Sequence, residues 1–194
     1  MLDACLPQTQ CQRCGYPDCL QYAKALHRSQ AKINRCPPGG DASIVLLAKL
    51  LDQPVVALDA ELAALPPHRP VVIVEAECIG CTLCIQACPV DAIIGAPKRL
   101  HTVLQDWCTG CALCLPACPV DCMHCLPLAP AVFRDSRWPE FSEPQVALAR
   151  QRYQTRRKRL QRAAQQRRQR ISHRQLRYNI QAAVARVRAR RQPK

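Results

Sequence analysis

The sequence predicts an α+β fold in three parts. These are a small helical N-terminal module, a central module of two βαβ repeats, and a long basic α-helical C-terminal tail. Three observations carry this prediction. Fifteen cysteines fall in spaced groups, all within the first 125 residues. A sixteen-residue segment beginning at Cys78 recurs thirty residues later. Charge is divided along the chain, with 19 basic and 3 acidic residues in 134–194 against 9 and 11 in 1–133.

A length of 194 residues allows one or two domains with a modest core, and aromatic residues, at 4%, are too few to fill it with rings. The longest apolar runs, such as ASIVLLAKLL at 42–51, fall short of the roughly 18 residues of a membrane span. No basic segment followed by an apolar one opens the sequence, so a secreted protein is not expected. In a reducing compartment clustered cysteines hold metal more often than disulfides, and an odd total of 15 argues the same way. The organisation read from these shifts is an N-terminal module at 1–62, a Pro-rich linker at 63–70, a central module at 71–128 and a tail at 129–194.

Cys11, Cys14, Cys19 and Cys36 form the first group, spaced C-x2-C-x4-C-x16-C. Spacing alone leaves this set open between four thiolates on zinc and an iron–sulfur cluster. Gly15 and Pro17 punctuate the loop, and a helix over 20–30 carries the chain towards Cys36. Gly39 and Gly40 break it, and Asp41 is the expected N-cap of a second helix over 42–51.

In the central module, CIGCTLCIQACPVDAI (78–93) and CTGCALCLPACPVDCM (108–123) agree at ten of sixteen positions, which marks a duplicated supersecondary unit. Each copy reads C-x2-C-x2-C-x3-C-P, the run with which bacterial ferredoxins bind [4Fe–4S] clusters. Three cysteines two residues apart wrap one cluster, and the fourth ligates the other. Cys78, Cys81, Cys84 and Cys118 therefore form one expected ligand set, and Cys108, Cys111, Cys114 and Cys88 the second. Gly80 and Gly110 are expected to let the backbone approach sulfur, and Pro89 and Pro119 to fix the exit of each loop. Val71 to Val74 reads as a buried strand, with further strands at 100–104 and 123–126, and Cys88 or Cys118 near a short helix start. Residues 71–128 closely resemble a two-cluster bacterial ferredoxin.

Taken together, LPQTQCQRCGYPDC, INRCPPGG and the two ferredoxin runs resemble the iron–sulfur B subunits of Rnf/Rsx-type electron transport complexes over about residues 5–128. The resemblance implies a third [4Fe–4S] cluster on Cys11, Cys14, Cys19 and Cys36, and an electron-carrying role with redox protein partners, including membrane-bound subunits of that complex. Members of that family usually begin with an apolar anchoring helix, and the sequence shows none. The expected location is the cytoplasm, extending to a peripheral place on the inner face of the plasma membrane. No G-x-G-x-x-G, P-loop, H-E-x-x-H or nucleophile elbow is present, so no catalytic residue is assigned.

Cys5, Cys122 and Cys125 exceed the twelve expected ligands; Cys122, in the place of Ala92 of the first repeat, reads as a small buried thiol, and no role is assigned to Cys5 or Cys125. His27, His68, His101 and His173 read as surface or packing residues, and Trp107 as packing beside Cys108. The tail has no acid after Glu143, and its apolar residues recur at helical spacing, as at Leu160, Ala164 and Ile171 or Leu176, Ile180 and Val184. Arg–Arg repulsion makes an isolated helix marginal, and a polyanion would favour it. An acidic protein surface, an anionic membrane and, less favoured, nucleic acid are its expected partners. Two other functions stay open on the sequence: a nucleic-acid-binding iron–sulfur protein using the tail, and a structural cluster subunit of another oxidoreductase.

Overall fold

A computed structural model describes residues 1–127, 136–138 and 140–191, the last three of these as backbone only. Residue 128 of the central module and 129–135, 139 and 192–194 of the tail lie outside the described residues. Two compact units are distinguished, Met1–Tyr153 and Gln154–Lys194.

The first unit begins with a 3-10 turn at Leu2–Cys5, then α1 (Cys19–His27), α2 (Gly40–Leu51) and a single turn, α3 (Ala60–Ala63). Asp18 caps α1, its carboxylate accepting from the Gln21 N–H at 2.6 Å. Tyr22, Ala23 and Leu26 of α1 and Ile44, Leu47 and Ala48 of α2 recur at helical spacing and meet Leu6 and Ile33 in one apolar core. Asp41 lies inside the first turn of α2 rather than at its cap, which is Gly39. The helix starts earlier because the Gly39 carbonyl accepts from the Ser43 N–H at 3.0 Å. Position 39 takes only glycine: a Cβ there would stand 2.3 Å from Ser43 Oγ, which donates to the Cys5 carbonyl at 2.6 Å and accepts from Trp138 Nε1 at 2.9 Å.

The central region holds β1 (Val71–Ile73), α4 (Leu83–Ala87), β2 (Ile93–Ile94), β3 (Thr102–Val103) and β4 (Met123–Cys125). β1 pairs antiparallel with β4, Ile73 opposite Met123, and β2 pairs antiparallel with β3, Ile93 opposite Val103. A shift of thirty residues, forward for one partner and back for the other, turns the second pairing into the first. Each half of the duplicated segment thus lends a strand to the other. The halves differ in one element: repeat two has turns where repeat one has α4. Pro116 stands where Gln86 donates its N–H to the Thr82 carbonyl at 3.2 Å, and proline has no N–H to give. Cys88 accordingly follows a helix instead of opening one, and Cys118 adjoins none. Val71, Ile73, Val90, Ile93 and Met123 make a second apolar core with the cysteines among them.

The tail helix, α5 (Glu143–Arg191), begins with a capping box. The Ser142 N–H donates to Gln145 Oε1 at 3.0 Å while Gln145 N–H reaches Ser142 Oγ at 3.4 Å. Val146 and Ala149 in its first turns are buried in the first unit. In the second unit the apolar positions Leu160, Ile171, Leu176, Ile180 and Val184 are exposed. Among the described residues no helix is long and apolar enough to cross a membrane.

Candidate iron–sulfur centres

The N-terminal set is built on an unusual loop. Gln8, Gln10 and Gln12 all take left-handed φ of 56–62°, and Gly15 follows at 87°. Left-handed residues alternating in this way coil the backbone into a concave run of N–H groups suited to anionic sulfur. Such conformations are costly outside glycine, and side-chain bonds hold two of them, Gln8 and Gln10. Gln8 Nε2 donates to the Asp3 carbonyl at 2.7 Å, Gln10 Nε2 donates to Gln8 Oε1 at 3.0 Å, and Gln10 Oε1 accepts from the Cys19 N–H at 3.0 Å. Cys11 and Cys14 sit on this loop, Cys19 opens α1, and Cys36 precedes α2. Burial pushes the Cys14, Cys19 and Cys36 thiols up, and neighbouring thiols of the set push them further. The glutamines were invisible to motif reading, because no pattern of residue types marks an alternating left-handed loop.

The duplicated loops share their left-handed positions. Gly80 and Gly110 have φ of 67° and 65°, Thr82 and Ala112 of 67° and 62°, Asp91 and Asp121 of 52° and 51°. A Cβ on Gly80 would stand 2.7 Å from the backbone of Arg99, and one on Gly110 2.7 Å from that of Arg69. These glycines therefore admit a neighbouring strand of backbone, where the sequence suggested room for sulfur.

Two small cavities lie among these loops. One is lined by Cys78, Cys81, Cys84 and Cys118 with Cys122 and His101; the other is lined by Cys88, Cys108, Cys111 and Cys114. The fourth cysteine of each run thus faces the other run's cavity. Burial pushes the Cys114 thiol up to about 12, with the thiols of Cys111, Cys108 and Cys88 adding to the shift. Burial likewise takes Cys111 to about 12 against an opposing Leu113 N–H. Burial would also raise Cys118, but the N–H of Val120, the thiol and N–H of Cys122 and the N–H of Asp121 hold it below the ordinary thiol range.

These sets fit iron–sulfur clusters by donor chemistry: four soft thiols around each of two otherwise largely apolar cavities, and four more on the N-terminal loop and beside the starts of α1 and α2. A single tetrahedral ion needs its sulfurs about 2.3 Å from one point. Among the described residues no three His, Cys, Asp or Glu side chains are gathered to hold one ion. Of the three cysteines outside the ligand sets, Cys5 is buried in the first core, Cys125 is exposed and Cys122 lies in the first cavity. His101, read from sequence as an ordinary packing or surface residue, is 1% exposed, with Nδ1 3.3 Å from Cys84 Sγ.

Two family models match: "4Fe-4S dicluster domain" over 71–125 and "Putative Fe-S cluster" over 6–38. The chain is 57% identical over 146 residues to the B subunit of the ion-translocating oxidoreductase complex of Hahella chejuensis, covering 75% of this chain and 73% of that protein. It is 56% identical over 151 residues to the protein of the same name from Pseudomonas paraeruginosa, 78% of each chain. With that of Alkalilimnicola ehrlichii the identity is 58% over 129 residues, covering 66% and 69%. No solved structure matches the chain.

Proposed function

The chain belongs to the family of ion-translocating oxidoreductase complex B subunits, and we propose that it carries electrons through three [4Fe–4S] clusters. Cys11, Cys14, Cys19 and Cys36 hold one. Cys78, Cys81, Cys84 and Cys118 hold the second, in a two-cluster ferredoxin-type module. Cys108, Cys111, Cys114 and Cys88 hold the third. When bound, each cluster supplies reversible one-electron exchange.

The observation that carries this reading is the exchange of fourth cysteines between the two cavities, on loops whose left-handed positions coincide thirty residues apart. The protein's own part is to hold thiolates and exclude water. Ala92 N–H donates to Cys88 Sγ at 3.2 Å, fixing that thiolate's lone pairs. Val71, Val90, Ile93 and Val103 line one cavity and Ile73, Ile79, Val120 and Met123 the other, keeping the dielectric low around each. Two separate apolar cores support a division into an N-terminal module and a central one, with the linker between them.

The partners of this reading are redox proteins of a membrane-associated complex, reached from the inner face of the membrane. The basic residues of 154–194 supply a positive field, which draws an acidic surface or anionic lipid and fades with salt. Protein purified without oxygen should contain about twelve irons and twelve sulfides per chain, the sum of three four-iron cubanes. About eight irons would remove the N-terminal centre and leave the duplicated module standing.

A further inference from the structure

The duplicated module is symmetric in its strands and loops, and asymmetric in what its side chains offer the ligand sulfurs. Counting thirty residues, His101 corresponds to Val71 and Cys122 to Ala92. Both polar members of these pairs lie in the cavity of Cys78, Cys81, Cys84 and Cys118. His101 Nδ1 is 3.3 Å from Cys84 Sγ, and Cys122 Sγ is 3.4 Å from Cys118 Sγ. The N–H groups of Ala92 and Cys122 reach Cys88 and Cys118 alike, so at this pair of positions the backbone donor is kept and the side chain differs.

We infer that His101 and Cys122 are redox-tuning donors, whose N–H and S–H bonds to the Cys84 and Cys118 thiolates raise the potential of that centre and leave the two centres of the module unequal. This rests on the ligand sets proposed above. Reduction adds one negative charge to a centre, and a donor to its sulfurs stabilises the more negative state. His101 is suited to donate from Nδ1. Its Nε2 is buried without a partner, and a bare ring nitrogen there costs less than an unsatisfied N–H. Its place is also built for it: a Cβ on Gly95 would stand 2.2 Å from His101 Cδ2. The other cavity offers one hydroxyl beside a ligand, that of Thr109, whose single proton is divided between Cys111 and the Thr9 carbonyl at 3.0 Å, so that centre has one shared side-chain donor against two.

The test is an equilibrium redox titration of the fully loaded chain followed by EPR. Cys122→Ala, which copies the other half, should lower one midpoint potential by about 59 mV, a roughly tenfold shift in one-electron equilibrium, and leave the others in place. Cys122→Ser, which keeps a donor, should restore most of the shift, and His101→Leu should lower the same midpoint. Ala92→Cys should raise a different one. Full iron with no midpoint moved by Cys122→Ala or Ala92→Cys overturns the inference while leaving the ligand sets intact. Loss of four irons from Cys122→Ala, with Cys118→Ala retaining them, overturns it differently, by making Cys122 the ligand. If Cys122→Ala fails to fold, Ala92→Cys decides: an unmoved midpoint there ends the proposal.

Discussion

The guanidinium carbon of Arg152 lies 3.4 Å from the centroid of the Trp107 ring. The same side chain donates to the carbonyls of Val90 and Asp91, each at 2.7 Å. Next to it, Tyr153 Oη donates to Asp18 Oδ2 at 2.7 Å, and Arg150 pairs with Asp3 at 3.3 Å. Asp18 caps the helix that Cys19 opens, Val90 and Asp91 follow Cys88, and Trp107 precedes Cys108. The first turns of α5 therefore fasten the loops of both cysteine modules. The tail divides at Tyr153, with a structural part before it and a charged part after.

Removing 154–194 should leave iron content and unfolding temperature nearly unchanged. Removing 144–194 should cost about 3 kcal/mol, from a half-buried cation–π contact and several charge-assisted bonds, and should accelerate loss of iron to a chelator. Equal stability of the two truncations would show that Arg152 and Tyr153 contribute nothing to the body.

Gln10→Leu removes the acceptor of the Cys19 N–H and the donor to Gln8 at once. Two buried groups lose their partners, a penalty of about 1–3 kcal/mol each. The expected readout is a protein that retains about eight irons and loses about four, because only the N-terminal four-iron centre depends on this ladder. Uniform loss across all centres would mean that the ladder supports the whole fold.

Burial pushes the His68 imidazole down to about 3, the Arg13 charge adding to the effect, and its ring stands edge-on to Phe141 at 6.4 Å. The folded chain thus keeps His68 neutral while an unfolded chain protonates it near 6.5. The contribution is full above about pH 6.5 and is lost as pH falls towards 3, at up to about 1.4 kcal/mol per pH unit. Denaturation between pH 7.5 and 5.5 should show this slope, and His68→Gln should flatten it by one proton. An unchanged slope would place the acid sensitivity elsewhere.

Much of the site was legible in sequence because it is local. The C-x2-C-x2-C-x3-C spacing and the thirty-residue repeat anticipate both cavities, and β-branched residues anticipate β1. Pro116 could have told the two copies apart, since it alone removes a helical donor. What escaped reading depends on partners far along the chain or on backbone sign. Arg152 acts on Val90 and Trp107, His101 acts on Cys84 in a space that Gly95 opens, and the left-handed Gln8, Gln10 and Gln12 leave no mark in composition. The helical spacing of the tail's apolar residues was real, yet from Leu160 to Val187 those residues are exposed.

The proposed ligand sets are distinguished from self-closed runs by one feature, the exchange of fourth cysteines between the repeats. EPR of the reduced chain, compared among Cys88→Ala, Cys111→Ala and Cys81→Ala, tests it in one experiment. Cys88→Ala should abolish the signal that Cys111→Ala abolishes and keep the one that Cys81→Ala abolishes. Loss of the Cys81 signal in Cys88→Ala, with the Cys111 signal intact, would show that each run closes on itself and would contradict the crossed ligation.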